Sequence, residues 1–410
     1  MSSIRAACSE VTESSNIVYI FWQRTIGNNF DNANQQYSIM KKANLLFLLV
    51  VTLYACKQSG QHKMTYPITS RIEFHLPADT VSLPERIASI DYLLLSTPDE
   101  AYIYEADKIM FDDNHIYLAD FRGHKIVVYN AEGEYVYTLD KKGSGPGEYL
   151  ELRNFTTDGK HLYIIDNYRH KVFIYGCEDG TFVETKELPI VADDITYLTE
   201  GKFLLGLMPM FERNIPHSNH LLFIVNADFK ITNRLLPYEG DKRIPFAPLS
   251  FFTSDEDNVY FSSLFFDGFT VIPRERPDSL YHIAIDFEKR IPEEIRSDGA
   301  EIDKGNYQYL YSTPVCCGDY YSFQIYSDNF LWTYVYDKRQ KRLMTNSETN
   351  RNWGLYYPTA SHRGKYITYL ADADLYRELL KMGFPKADEA IEEKLENEGA
   401  VLIIYTMKPS

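Results

Sequence analysis

Two histidines, His124 and His170, each stand four residues after an aspartate, Asp120 and Asp166, with Arg122 and Arg169 in the same short stretches. Imidazole with carboxylate can move a proton or hold a metal, and guanidinium pairs with anions. Their repetition decides how they are read. Residues 116–129 (IYLADFRGHKIVVY) and 162–175 (LYIIDNYRHKVFIY) align Asp120 with Asp166, His124 with His170, Lys125 with Lys171 and Tyr129 with Tyr175, 46 residues apart. A single functional centre rarely repeats with the period of its scaffold. The aspartates and histidines are therefore expected to shape hairpins through hydrogen bonds. Arg122, His124, Arg169 and His170 form the candidate ligand face, the arginines being suited to an anionic group.

Other reactive side chains carry less. His217 and His220 (HSNH) have a spacing that could serve a metal, but no carboxylate or third ligand accompanies them, and an exposed loop is expected. Asp112-Asp113 and Asp193-Asp194 fall where turns are expected, and turns favour aspartate for backbone reasons. They lack the alternating acidic loop of a calcium site. Neither a metal nor a cofactor is expected. Of five cysteines, Cys8 and Cys56 precede the main body, leaving Cys177, Cys316 and Cys317. An odd number leaves one thiol over, and two reduced thiols or a bond to Cys177 are favoured above a strained Cys316–Cys317 disulfide. There is no Cys-x-x-Cys, Gly-x-Ser-x-Gly, His-Glu-x-x-His or Gly-Lys-Ser/Thr signature.

The elements that carry these residues read as strands. Each aligned unit has an apolar strand closed by aspartate, a turn ending in histidine, then an alternating strand starting at lysine. Between the units, Gly143, Gly145, Pro146, Gly147 and Glu148 cannot sit inside a strand or helix and mark a tight crossover turn. The rhythm continues through 221–237, 258–272, 279–290, 320–344 and 356–372. Equivalent strand ends near Tyr129, Tyr175, Val225, Ile285 and Tyr336 lie 46, 50, 60 and 51 residues apart. That spacing predicts an all-β fold, a six-bladed β-propeller of four-stranded antiparallel blades over 85–410. The composition agrees: 33 Tyr and 24 Phe against 3 Trp favour pleated, half-buried surfaces. Residues 374–399 break the pattern with apolar residues at helical spacing, split by Pro385, and predict a short helical insertion. The run 400–407 then predicts a buried strand that closes the ring by pairing near 87–95, since an open ring exposes two sheet edges.

The string Gly-x-Gly-Pro-Gly-Glu-Tyr at 143–149, the Asp158-Gly159 turn, the strand ending in Asp166 and His170-Lys171-Val-x-Ile-Tyr175 resemble an NHL repeat. The Gly-Pro-Gly-Glu-Tyr form also resembles the six-bladed propeller lipoproteins of the Bacteroidetes. The resemblance spans most of 85–410, and its specific motif sits in 116–175. It implies an NHL/TolB-like ring, with ligands bound on the face that carries Arg122 and Arg169, and a closing strand preceded by a helical insertion.

Residues 40–56 (MKKANLLFLLVVTLYAC) place Lys41 and Lys42 before an apolar run too short to span a bilayer. Ending in Leu53-Tyr54-Ala55-Cys56, the segment resembles a bacterial lipoprotein signal, which implies lipidation of Cys56 and a bilayer partner held through an N-terminal acyl anchor. Met40 stands where such a signal starts, so residues 1–39 are expected to be a non-native extension. Residues 57–84 are expected to form a tether and the entry to the ring. No acidic cluster follows Cys56, which in Bacteroidetes-type lipoproteins would favour outer-surface display, so a periplasm-facing position in the cell envelope is expected.

The net charge of −16, from 42 basic and 58 acidic residues, repels phosphate backbones, and nucleic acid is not an expected partner. The expected function is that of an envelope-anchored binding module for a peptide, glycan fragment or partner envelope protein. The alternative is a hydrolase or lyase with its site at the channel mouth, because the fold permits either.

Overall fold

The computed structural model describes residues 67–410 except 77, 80–81, 211–218, 239–241 and 347–352. The signal at 40–56, Cys56 and His217 lie outside the described residues. Six small sheets make up a ring. Blade 1 has strands Lys108–Phe111, His115–Asp120, Lys125–Asn130 and Tyr135–Leu139. Blade 2 has Asn154–Thr157, His161–Asp166, Lys171–Gly176 and Phe182–Glu187, and blade 3 has Asp194–Tyr197, Phe203–Gly206, His220–Val225 and Ile231–Pro237. Blade 4 begins with Phe252–Ser254, Asn258–Ser262, Gly268–Pro273 and Tyr281–Phe287. Blade 5 has Val315–Cys317, Tyr320–Ser327, Phe330–Asp337 and Arg342–Thr345, with Tyr309–Leu310 paired alongside. Blade 6 combines Ala360–His362, Lys365–Leu370 and Ala400–Met407 with Ile87–Leu95 from the start of the ring.

Each blade is an antiparallel meander whose first strand faces the ring axis. The turn between first and second strands therefore lies at one end of the ring. The turn between second and third strands lies at the other, together with the crossovers between blades. Burial follows from this. The second and third strands of blade 1 are buried almost throughout, while its fourth strand alternates toward solvent. Apolar side chains from facing blades interdigitate, so the core is a set of seams: Tyr117, Leu162 and Phe173 between blades 1 and 2, or Phe269, Ile285 and Phe323 between 4 and 5. Burying each such side chain contributes about 1.5–3 kcal/mol.

Closure is made by eight pairings between Ile87–Leu95 and Ala400–Met407, from Ile87 opposite Met407 to Leu95 opposite Ala400. The helices Ala373–Lys381 and Glu389–Glu396 interrupt blade 6 between its second and third strands. Asp372 and Asp388 cap them by accepting from the amides of Leu375 and Ile391, both at 3.0 Å. Tyr376, Leu379, Ile391 and Leu395 bury the apolar stripe in the seam between blades 5 and 6.

Ile68–Phe74, within the stretch expected as tether and ring entry, is a fifth strand of blade 4 and pairs in parallel with Tyr281–Phe287. Ile72 and Phe74 are buried, while the first four residues face solvent. It covers the backbone edge that blade 4 would otherwise expose.

Candidate functional site

The first strands enclose a central channel of about 1360 Å³, above the usual size of small-ligand pockets. Its crossover end is crossed by Lys108. The ammonium, from blade 1, donates to Asn154 Oδ1 at 2.8 Å and Phe155 O at 3.0 Å in blade 2. It also reaches Asp194 Oδ1 at 3.0 Å and Ile195 O at 3.4 Å in blade 3. Asp194 Oδ2 accepts from Ser250 Oγ and from the amides of Phe251 and Phe252, which ties in blade 4. Burial pulls the Lys108 ammonium below its ordinary value, and Asp194 opposes that pull. Beside it Asp193 accepts from Arg153 at 2.8 Å and from the Met208 amide at 2.9 Å. Asp193-Asp194 is thus a buried charge centre joining four blades, and not the turn expected of it. Asp194 opens a first strand, Asp193 stands just before it where the chain leaves the crossover, and both carboxylates are buried.

Asp107 lines the same end. Burial pushes its carboxyl up to about 6, opposed by the Phe121 amide it accepts from at 2.7 Å, and Glu105 and Asp120 add repulsion.

The other end is built from first turns that share one pattern in blades 1, 2 and 4: Asp112…His115-Ile-Tyr117, Asp158…His161-Leu-Tyr163 and Asp255…Asn258-Val-Tyr260. Each aspartate accepts from the two amides across its turn and from the tyrosine hydroxyl, at 2.5, 2.8 and 2.6 Å respectively. Burial would raise the Asp158 carboxyl, but the donors from His161, Lys160 and Tyr163 hold it below the usual carboxylate range. These carboxylates are committed to their turns. Arg274, half-buried between blades 3 and 4, donates to the carbonyls of Asp255 and Tyr197. The wall between blades 4 and 5 carries Tyr281, Tyr321, Lys338 and Cys316. Lys338 lies over the Tyr321 ring at 4.8 Å. Burial pushes the Cys316 thiol up to about 11 and Cys317 up to about 12. All three described cysteines are free and buried. Among the described residues no group of three His, Cys, Asp or Glu is arranged to hold a metal ion.

The residues singled out from the sequence lie in second turns, at the crossover end, and are not among those lining the channel. His124 and His170 both take the left-handed backbone, at φ 57° and 54°. The His124 carbonyl accepts from Tyr149 Oη at 2.7 Å, and its Nδ1 from the Leu152 amide at 3.2 Å. The His170 carbonyl accepts from the Leu188 amide. Each histidine thus grips the crossover to the next blade. Burial, then Lys142, lowers the His124 imidazole. Arg122 stacks on Tyr104 at 4.4 Å, and Arg169 donates to Gly143 O at 3.2 Å. In the crossover turn, Glu148 accepts from the Gly145 amide at 2.7 Å. Gly147 has φ 70°, and its carbonyl accepts from Tyr175 Oη at 2.8 Å. Pro146 sits between them.

Ring, seams and through-channel define a six-bladed β-propeller. A family model described as a domain of unknown function, DUF4934, matches residues 70–405, and the chain belongs to that family. Among solved structures the chain is similar to a Bacteroides fragilis NCTC 9343 protein inferred to be exported, at 18% identity and a TM-score of 0.68, covering 83% of this chain and 100% of that one. It is also similar to a member of the DUF4221 family from Bacteroides vulgatus ATCC 8482, at 10% identity and a TM-score of 0.50, covering 79% and 98%. At these identities the likeness is one of fold. No curated protein matches the chain.

Proposed function

We propose that the protein is an envelope propeller, anchored through an acyl chain on Cys56 and facing the periplasm, that binds a peptide, a glycan fragment or a segment of a partner protein in its central channel. The observation that carries this reading is the channel's lining. Tyrosines (Tyr197, Tyr281, Tyr311, Tyr321) share the lining with hydroxyls such as Thr156, Thr196 and Ser254, and rings together with hydroxyls suit an extended polar ligand. The channel-lining carboxylates of Asp112, Asp158 and Asp255 already have donors, which favours a preformed binding wall over a reactive centre. A likeness of fold to an exported protein is compatible with the proposed address.

A thermal-shift screen of the purified protein against peptides and glycan fragments tests the reading, because a ligand for the folded state raises the melting temperature by mass action. A shift with one class that disappears in Tyr321→Ala identifies the channel. Absence of any shift removes the small-ligand reading and leaves a protein partner, to be trapped by cross-linking. Radiolabelled palmitate should enter the wild-type chain but not Cys56→Ala, and label retained in the variant would end the anchoring proposal.

One observation favours an enzyme, a hydrolase or lyase, as a second reading. Asp107, raised to about 6 in the channel, has the value of a general acid or base near neutral pH. Turnover of any substrate that survives Asp107→Asn would remove it.

A further inference from the structure

Tyr117, Tyr163 and Tyr260 occupy one place in their blades, on the second strand two residues beyond the first turn. Each ring crosses the seam to the next blade. Tyr117 meets Phe155 at 6.4 Å, Tyr163 meets Phe203 at 4.6 Å and Tyr260 meets Tyr321 at 5.8 Å. Blade 3 has Leu204 at this place and blade 5 has Ser322, but bulk arrives from elsewhere. Phe252 and Phe261 pack with Leu204, and Tyr366 fills the seam beside Cys317 and Val315.

Blade 6 has Ile367 there, counting from Lys365, which lies opposite His362 across the first turn. The seam it faces, toward blade 1, holds a pocket of about 310 Å³ walled by Leu93, Phe111, Ile116, Ile367, Leu402 and Ile404. A side chain short of an aromatic ring has left room for one.

The rim changes as well. The first turn of blade 1 reads Asp112-Asp113-Asn114-His115, whereas that of blade 6 reads His362-Arg363-Gly364-Lys365. Arg363 faces Asp113 at 3.6 Å in an exposed ion pair, and the Lys365 ammonium makes no hydrogen bond or ion pair among the described residues. His362 stacks on Phe111 with centroids 4.7 Å apart and planes at 14°. This stack partitions pocket from channel, since both residues line both spaces. His115, 7% exposed at the pocket's edge, holds its Nδ1 3.3 Å from Asp112 Oδ1.

We propose that the seam between blades 6 and 1 is a binding site for a small aromatic carboxylate. The ring occupies the space that tyrosine fills in three other seams, and the carboxylate meets Arg363 and Lys365. Burial of an aromatic ring between apolar walls supplies most of the affinity. Arg363 exchanges the exposed Asp113 for the ligand, and the Lys365 ammonium gains a partner. The site shares Phe111, His362 and Arg363 with the channel wall but does not rest on the proposed channel function.

Isothermal titration calorimetry of the protein with phenylacetate tests the assignment, with benzylamine as the charge-reversed control. Phenylacetate should bind saturably and benzylamine should bind more weakly. The Arg363→Gln/Lys365→Gln variant should weaken phenylacetate about threefold to tenfold, as expected for two solvent-exposed charges. Ile367→Tyr should abolish binding while leaving the melting temperature unchanged or raised by about 1–3 °C, as cavity filling does. Ile367 does not line the channel, so this loss cannot come from there. Three results would overturn the proposal: affinity weaker than about 1 mM, binding retained in Ile367→Tyr, or a melting temperature lowered by the tyrosine, which would mean that the seam has no room for a ring.

Discussion

Lys108 shows what a single side chain does in a ring. Its ammonium is an internal cation shared by three blades, and the buried Asp194 beneath it brings in a fourth. Removing one partner of such a pair strands the other's charge. Lys108→Met is therefore expected to lose about 3–5 kcal/mol of stability by chemical denaturation, and Lys108→Met/Asp194→Asn should recover part of it. Asp107 is the neighbouring case with opposite sign. Its folded-state value, raised to about 6, lies above that of an unfolded chain, so folding favours the protonated form and stability falls as pH rises from about 4 to about 6. Asp107→Asn keeps an acceptor for the Phe121 amide and removes the titration. The melting temperature of the variant minus that of the wild type should grow across that window and be constant above it. A difference independent of pH would place the carboxyl in an ordinary environment.

At the scale of elements, turns rather than strands define each blade. The aspartate of the second turn catches the crossover that enters its own blade: Asp120 accepts from the Tyr104 amide at 2.9 Å, and Asp166 from the Leu150 amide at 2.7 Å. That explains why the sequence repeats aspartate and histidine with the period of the blade. The Gly143–Glu148 crossover is as tightly determined. A Cβ on Gly147 would lie 2.7 Å from the Phe182 ring, at a φ of 70°. Gly147→Ala is expected to cost about 2–3 kcal/mol from backbone strain and overpacking together. At the other end, Tyr163→Phe should cost about 1–2 kcal/mol for a lost charge-assisted hydrogen bond, with little change in ring packing. Thermal unfolding of the two variants should separate the effects. The first-turn pattern was present in the sequence, with Asp112 and Asp158 46 residues apart and Asp255 a further 97 along. Blades 3, 5 and 6 have Leu198, Cys317 and His362 in place of the aspartate, and blade 4 has Asn258 in place of the histidine.

For the whole molecule, the ring is held shut by one mixed blade. The Ala400–Met407 strand lies between Ile87–Leu95 and Lys365–Leu370, so both ends of the fold depend on it. Deleting Ala400–Ser410 should expose two sheet edges and the apolar seams beside them. The truncated chain is expected to lose its single cooperative thermal transition by circular dichroism and to become protease-sensitive in blades 6 and 1. A sharp transition near the wild-type temperature would mean that blades 1 to 5 are stable without closure.

The sequence by itself determined the class of fold, the six-blade rhythm and the helical insertion. Alternation, turn residues and the 46-residue period are local properties, printed in the order of the amino acids. What only the tertiary structure decided depends on which residues face one another across the ring. Ile68–Phe74 reads as an unremarkable half-polar stretch until its parallel partner, more than 200 residues away, gives it a place. Asp193-Asp194 reads as a turn until Lys108 and Arg153 converge on it. The pocket beside Ile367 has no signature along the chain, because a missing ring is visible only against the blade that would have met it.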